Sequence, residues 1–120
     1  MQKGYGMIDY PKRGEIYLVN LPSQPDDIKK RPALIVSLDI RNELANDTIV
    51  VPLSTNLRKS PTHVLLQDNE GGLSKASMAK CEQITTIDKS FLIRGPFAGK
   101  ISEEKMKEIE NAIMIAIGLM

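Results

Sequence analysis

Lys30-Arg-Pro-Ala-Leu-Ile-Val36, followed after a polar interval by Thr48-Ile-Val-Val-Pro-Leu-Ser54, is the stretch that decides the fold. Each run is short, apolar and rich in branched side chains, which suits a strand and is too brief for a core helix. Pro32 heads the first run, where no ladder donor is needed, and Pro52 marks an edge or a bulge near the end of the second. The polar interval 39–47 has room for one helical turn. Strands adjacent in sequence are usually neighbours, and an antiparallel pairing brings the start of one beside the end of the other. Arg31 and Ser54 would then meet.

Upstream, Gly14–Leu21 lies between Pro11 and Pro22 and reads as a strand, and 22–30 reads as a surface loop of Pro, Ser, Gln, Asp and Lys. Downstream, Thr62–Gln67 is a strand closed by the turn residues 68–72. Ser77–Ile87 reads as one further strand, whose alternation would place Lys80 and Glu82 on the same face. Phe91–Phe97 can add a short sixth. Ser102 is placed to cap a helix, Glu103 and Glu104 suit its positive end, and Met106, Ile109, Ile113, Ile117 and Met120 recur at helical spacing. The residues 112–117 are apolar on every side, which fits either a second subunit or burial within the chain's own domain. Together these elements predict a mainly β domain with a C-terminal α-helix, five to six strands forming a small SH3-like barrel.

A chain of 120 residues fits that single domain, 1–120, and is long enough to bury roughly two-thirds of its unfolded surface. With 42% apolar and 26% charged residues it has ordinary globular composition. A net charge of +1 excludes strong nonspecific attraction to polyanions, so any nucleic-acid contact must come from local clustering. One cysteine excludes an internal disulfide and suits a reducing compartment, which makes a cytoplasmic location the expectation. No apolar run approaches the ~20 residues that span a bilayer, so no membrane anchor is expected.

Lys29 and Lys30 precede Arg31, and Arg58 and Lys59 follow Ser54, Thr55 and Asn56, so an antiparallel pairing would gather five cations at one end. Such clusters bind phosphate backbones, and an arginine fork can hold phosphate oxygens with two parallel bonds. Solvated loop charge gives the same pattern, and Asp26 and Asp27 would offset part of the field. One His and one Cys exclude the usual zinc spacing, and no metal or other cofactor is expected. Cys81 reads as a small buried residue and His63 as a strand-surface side chain.

The ordered motifs Arg13-Gly-Glu-Ile-Tyr-Leu-Val19, Lys30-Arg-Pro-Ala-Leu-Ile-Val36, Val51-Pro-Leu-Ser-Thr55 and Cys81-Glu-Gln83 with Thr86-Ile-Asp88 cover nearly all of the chain and resemble the MazF/PemK toxins. The resemblance implies a symmetric homodimer of PemK/CcdB-like barrels. It implies an endoribonuclease that cuts single-stranded RNA, usually mRNA, without metal, leaving a 2′,3′-cyclic phosphate and a 5′-hydroxyl. A MazE/PemI-like antitoxin would neutralise it, and DNA would be met only through the antitoxin complex. Arg31 and Ser54 are the implied catalytic residues, and relatives with Arg-Cys-Asp-Gln make Lys80 and Glu82 candidates for acid and base. A structural cross-strand ion pair, or charges facing solvent, is the other reading of Lys80 and Glu82. Lys29, Lys30, Thr55, Asn56, Arg58, Lys80 and Gln83 are the implied RNA-binding residues. Three departures stand out: Ser54 replaces the usual threonine, Lys80 the usual arginine, and the first loop lacks the common Glu-x-x-Gly. Two other functions fit the same fold, a CcdB-like gyrase-binding toxin and a non-catalytic RNA- or antitoxin-binding repressor.

Overall fold

The computed structural model describes residues 9–21 and 30–120. Seven strands and two α-helices follow one another in the order β1 (Ile16–Val19), β2 (Arg31–Ile35), α1 (Asp39–Leu44), β3 (Asp47–Ser54), β4 (His63–Leu66), β5 (Ser77–Lys80), β6 (Thr85–Asp88), β7 (Leu92–Arg94) and α2 (Glu103–Ala116). The mainly β architecture with a C-terminal helix is as expected. The strand count is higher than the five or six anticipated. Among the described residues all pairings are antiparallel in the order β4-β5-β3-β2-β1-β7, with β6 also on β3, and the hydrogen-bonded path does not close on itself.

The extra strand comes from the segment that the sequence presents as a single run, 77–87. Leu53 faces Ala79 whereas Val50 faces Thr85, so three residues of β3 are matched by six on the facing chain. The three surplus residues, Cys81–Gln83, form a 3-10 turn between β5 and β6. Pro52 stands in the gap where β3 changes partner from β6 to β5, and there it also faces Ala33 of β2. A residue with no N–H is tolerated at such an irregularity.

The alternation of side chains across the sheet buries both faces of its centre. Leu34, Val51 and Leu53 point into a core shared with Met106, Ile109 and Ala112 of α2. Tyr17, Ala33, Ile35, Val50, Ile87 and Leu92 form a second core on the opposite side. Ser102 caps α2 by accepting from the Lys105 N–H at 3.1 Å, and Lys105 in turn donates to the Leu65 carbonyl at 2.9 Å. Arg13 adds an ion pair to Glu110 and a bond to the Val36 carbonyl, so the helix is pinned to β4 and to the end of β2.

Ala112 takes the inward position beside Ile109, Ile113 is only partly buried, and the helix ends at Ala116. Ile117 and Met120, expected on the buried stripe, lie beyond it and are exposed, as are Ile115 and Leu119. Burial within the chain therefore does not account for the apolar character of this end.

Candidate active site

Ala33 of β2 faces Pro52 of β3, so two residues further out the first residue of β2, Arg31, and the last of β3, Ser54, occupy the same end of the pair. Both line one cleft of about 130 Å³, together with Lys80, Gln83 and the apolar Leu21 and Leu53. Arg31 is half-buried between β3 and β1, where it faces Val19. Its following proline holds the backbone extended, which aims the guanidinium at lower entropic cost. The Ser54 Oγ accepts from the Asn56 N–H at 3.1 Å, so the hydroxyl proton can be donated elsewhere.

The cationic cluster is split between two recesses. Arg58 and Lys59 line an adjoining recess of about 420 Å³ with Ser60, Pro61, His63 and Glu82, and Lys80 borders both. Lys30 is exposed, as are Thr55 and Asn56, and none of the three lines the cleft. Lys29, Asp26 and Asp27 lie outside the described residues.

Lys80 and Glu82 do not share a strand face, because β5 ends at Lys80 and Glu82 belongs to the turn. Each oxygen of the Glu82 carboxylate has a partner away from the cleft. One oxygen accepts from the Thr62 hydroxyl at 2.8 Å and the other meets the His63 Nε2 at 3.1 Å. Burial pushes this carboxyl up, but the bonds from His63, from its own backbone and from Thr62 outweigh it and hold the group below the usual carboxylate range. The His63 side chain is 8% exposed, not a surface group, and its Nδ1 lies 2.7 Å from the Arg58 carbonyl. This partnership is invisible in the sequence, since it depends on the three-residue turn swinging Glu82 towards β4. Cys81 is buried as expected, in the turn and not in a strand, and burial with the neighbouring Glu82 pushes its thiol up to about 12, which excludes it as a nucleophile near neutrality.

The family model described as the PemK-like, MazF-like toxin of type II toxin-antitoxin systems matches residues 12–117. The chain belongs to this family. The endoribonuclease MazF of Staphylococcus saprophyticus is 36% identical over 112 residues, covering 90% of this chain and 92% of the relative. That of Staphylococcus epidermidis is 35% identical over the same length. Among solved structures, an endoribonuclease from mycobacterial species superposes with a TM-score of 0.75 at 29% identity, covering 95% of this chain and 97% of the other. A mycobacterial endoribonuclease in complex with its cognate antitoxin gives 0.74 at 30% identity, covering 92% and 97%. The open seven-stranded sheet with its terminal helix is thus the MazF fold.

Proposed function

We propose that this MazF-family toxin cleaves single-stranded RNA, mRNA included, by directing a 2′-hydroxyl onto the adjacent phosphate at the cleft between Arg31 and Ser54. The new bond joins the 2′-oxygen to phosphorus as the hydroxyl proton passes to solvent, the bond to the 5′-oxygen breaks as that oxygen takes up a proton, and the ends are a 2′,3′-cyclic phosphate and a 5′-hydroxyl. The charged, five-coordinate state between them needs donors fixed in advance at its non-bridging oxygens. Arg31 supplies a planar fork and Ser54 a hydroxyl proton, while the Lys80 ammonium offers positive charge and a proton for the departing 5′-oxygen. Gln83 adds amide donors and acceptors for a base or sugar. Lys30, Thr55, Asn56, Arg58 and Lys29, the last outside the described residues, guide the flanking backbone.

The observation that carries this reading is the convergence of Arg31, Ser54 and Lys80 from three different strands on one cleft. No metal is required for this chemistry, because the cations that stabilise the phosphorane are side chains. The partner is an antitoxin, as for the mycobacterial relative, and we expect an acidic tail that occupies the basic end. The exposed Ile115, Ile117, Leu119 and Met120 form the face for a second copy of the chain, giving a homodimer. A cytoplasmic location follows from the substrate and the single buried thiol; no helix among the described residues is long and apolar enough to cross a membrane.

Purified protein incubated with a long single-stranded RNA in EDTA should yield fragments ending in cyclic phosphate, and Arg31→Ala should abolish them. Intact RNA with wild-type protein would remove the nuclease reading, and inhibition of gyrase in a separate assay with magnesium and ATP would replace it with a binding toxin.

A further inference from the structure

The hydrogen-bonding demands of His63 are unusual. The Arg58 carbonyl can only accept, so Nδ1 must donate across the 2.7 Å contact. Nε2 faces a Glu82 oxygen at 3.1 Å, and that bond exists only while a proton lies between the two atoms. The other Glu82 oxygen is held by Thr62, whose hydroxyl also contacts the Ser60 Oγ at 3.2 Å. The chain of contacts therefore runs from the basic loop 55–61, through His63 at the head of β4, to the turn Cys81–Gln83. Gln83 of that turn and Lys80 just before it are the residues that line the cleft opposite Arg31 and Ser54.

We infer that His63 and Glu82 are positioning residues, a latch held closed by one shared proton that fixes the Lys80–Gln83 wall of the cleft against the Arg58–Lys59 loop. The inference rests on the nuclease reading above for its effect on RNA, but the latch itself is a property of the free protein. The charged groups around the pair are Arg58 and Lys59 on the loop and Lys80, the register partner of His63 on β5. Among the described residues α2, which packs against the same turn, adds no charged lining to the recess. The Nε2 contact lasts only while a proton lies between the ring and the Glu82 oxygen, and rising pH removes that proton from the pair. The ring then keeps its Nδ1 proton for the Arg58 carbonyl, two lone pairs face each other across the Nε2 contact, and the latch opens.

Glu82→Gln is a discriminating substitution. A glutamine oxygen can still accept from Thr62 while its amide donates to a neutral His63 Nε2, so the latch closes without the shared proton. Glu82→Ala and His63→Ala cannot close it. The expected result for cleavage of a short RNA is a KM about tenfold higher in both alanine variants with kcat within about threefold. In wild type KM should rise on the alkaline side, whereas Glu82→Gln should restore a low KM and lose that alkaline limb. A fall of a hundredfold or more in kcat for Glu82→Gln would overturn the latch and assign Glu82 to proton transfer. The ring can be read directly, because the chain has one histidine. Nitrogen-15 spectra of the RNA-free protein should show the neutral ring protonated at Nδ1, with the Nε2 signal moved by Glu82→Ala. An Nε2-protonated neutral ring, or spectra unchanged by Glu82→Ala, would refute the inference whether or not the protein cuts RNA. Cleavage failing in wild type with the expected ring spectra would instead strike the nuclease reading and leave the latch standing.

Discussion

At one end of the β2–β3 pair Ser37, Asn42 and Thr48 are buried and bonded to one another, while at the other Arg31 and Ser54 open into a cleft. At the closed end Asn42 donates to the Ser37 carbonyl at 3.0 Å, and its side-chain oxygen accepts from the hydroxyls of Ser37 and of Thr48, the latter at 2.9 Å. The Ser37 Oγ further accepts from the Ile49 N–H at 3.0 Å. Every polar group there is spent on holding α1 to the sheet. At the open end Ser54 has a proton to give and Lys80 meets solvent in two recesses. The same two strands thus carry a structural polar cluster and a chemical one, and their difference lies in what the polar groups are bonded to.

The comparison breaks if the two ends prove interchangeable in effect. Arg31→Ala should lower the cleavage rate about a thousandfold, measured in single turnover on protein shown to be folded by circular dichroism. Asn42→Ala should leave the rate per folded molecule unchanged but cost about 3 kcal/mol in urea unfolding, because the Ser37 and Thr48 hydroxyls, 3.0 Å apart, can then use only one of their two protons on each other and the Ser37 carbonyl loses its donor. A rate loss in Asn42→Ala at full folding would show that the closed end takes part in the chemistry.

Smaller effects sharpen the contrast. Ser54→Ala should cost between about tenfold and a hundredfold in rate, and Ser54→Thr should restore it, since only the hydroxyl is required. The smallest effect concerns Glu82, whose carboxyl is held low in the folded chain. A depressed carboxylate stabilises the fold above its unfolded value and ceases to do so as pH falls through the folded one. Comparing unfolding of wild type and Glu82→Gln from pH 7 down to pH 3 should show a wild-type advantage of less than about 1 kcal/mol that fades in acid. An advantage growing towards low pH would contradict the bonding described for Glu82.

The meeting of Arg31 with Ser54 was legible in the sequence because it needs only two apolar runs, a polar interval and antiparallel pairing. The cap at Ser102 and the buried Cys81 were legible for similarly local reasons. The relation of Lys80 to Glu82 was not. Residues 77–87 are β-compatible throughout, and nothing in their order shows that β3 offers three residues fewer than the segment needs. That mismatch creates the turn, ends the alternation at Lys80, adds a seventh strand and delivers Glu82 to His63. The exposure of Ile117 and Met120 was hidden for another reason: helical spacing continues past Ala116, but the helix does not.

The most direct test is a crystal structure of the protein with a short RNA whose reactive 2′-hydroxyl is replaced by hydrogen. The scissile phosphate should sit within hydrogen-bond distance of both the Arg31 guanidinium and the Ser54 Oγ, with Lys80 towards the 5′-oxygen. A phosphate seated on any other surface, with that cleft empty, would contradict the account.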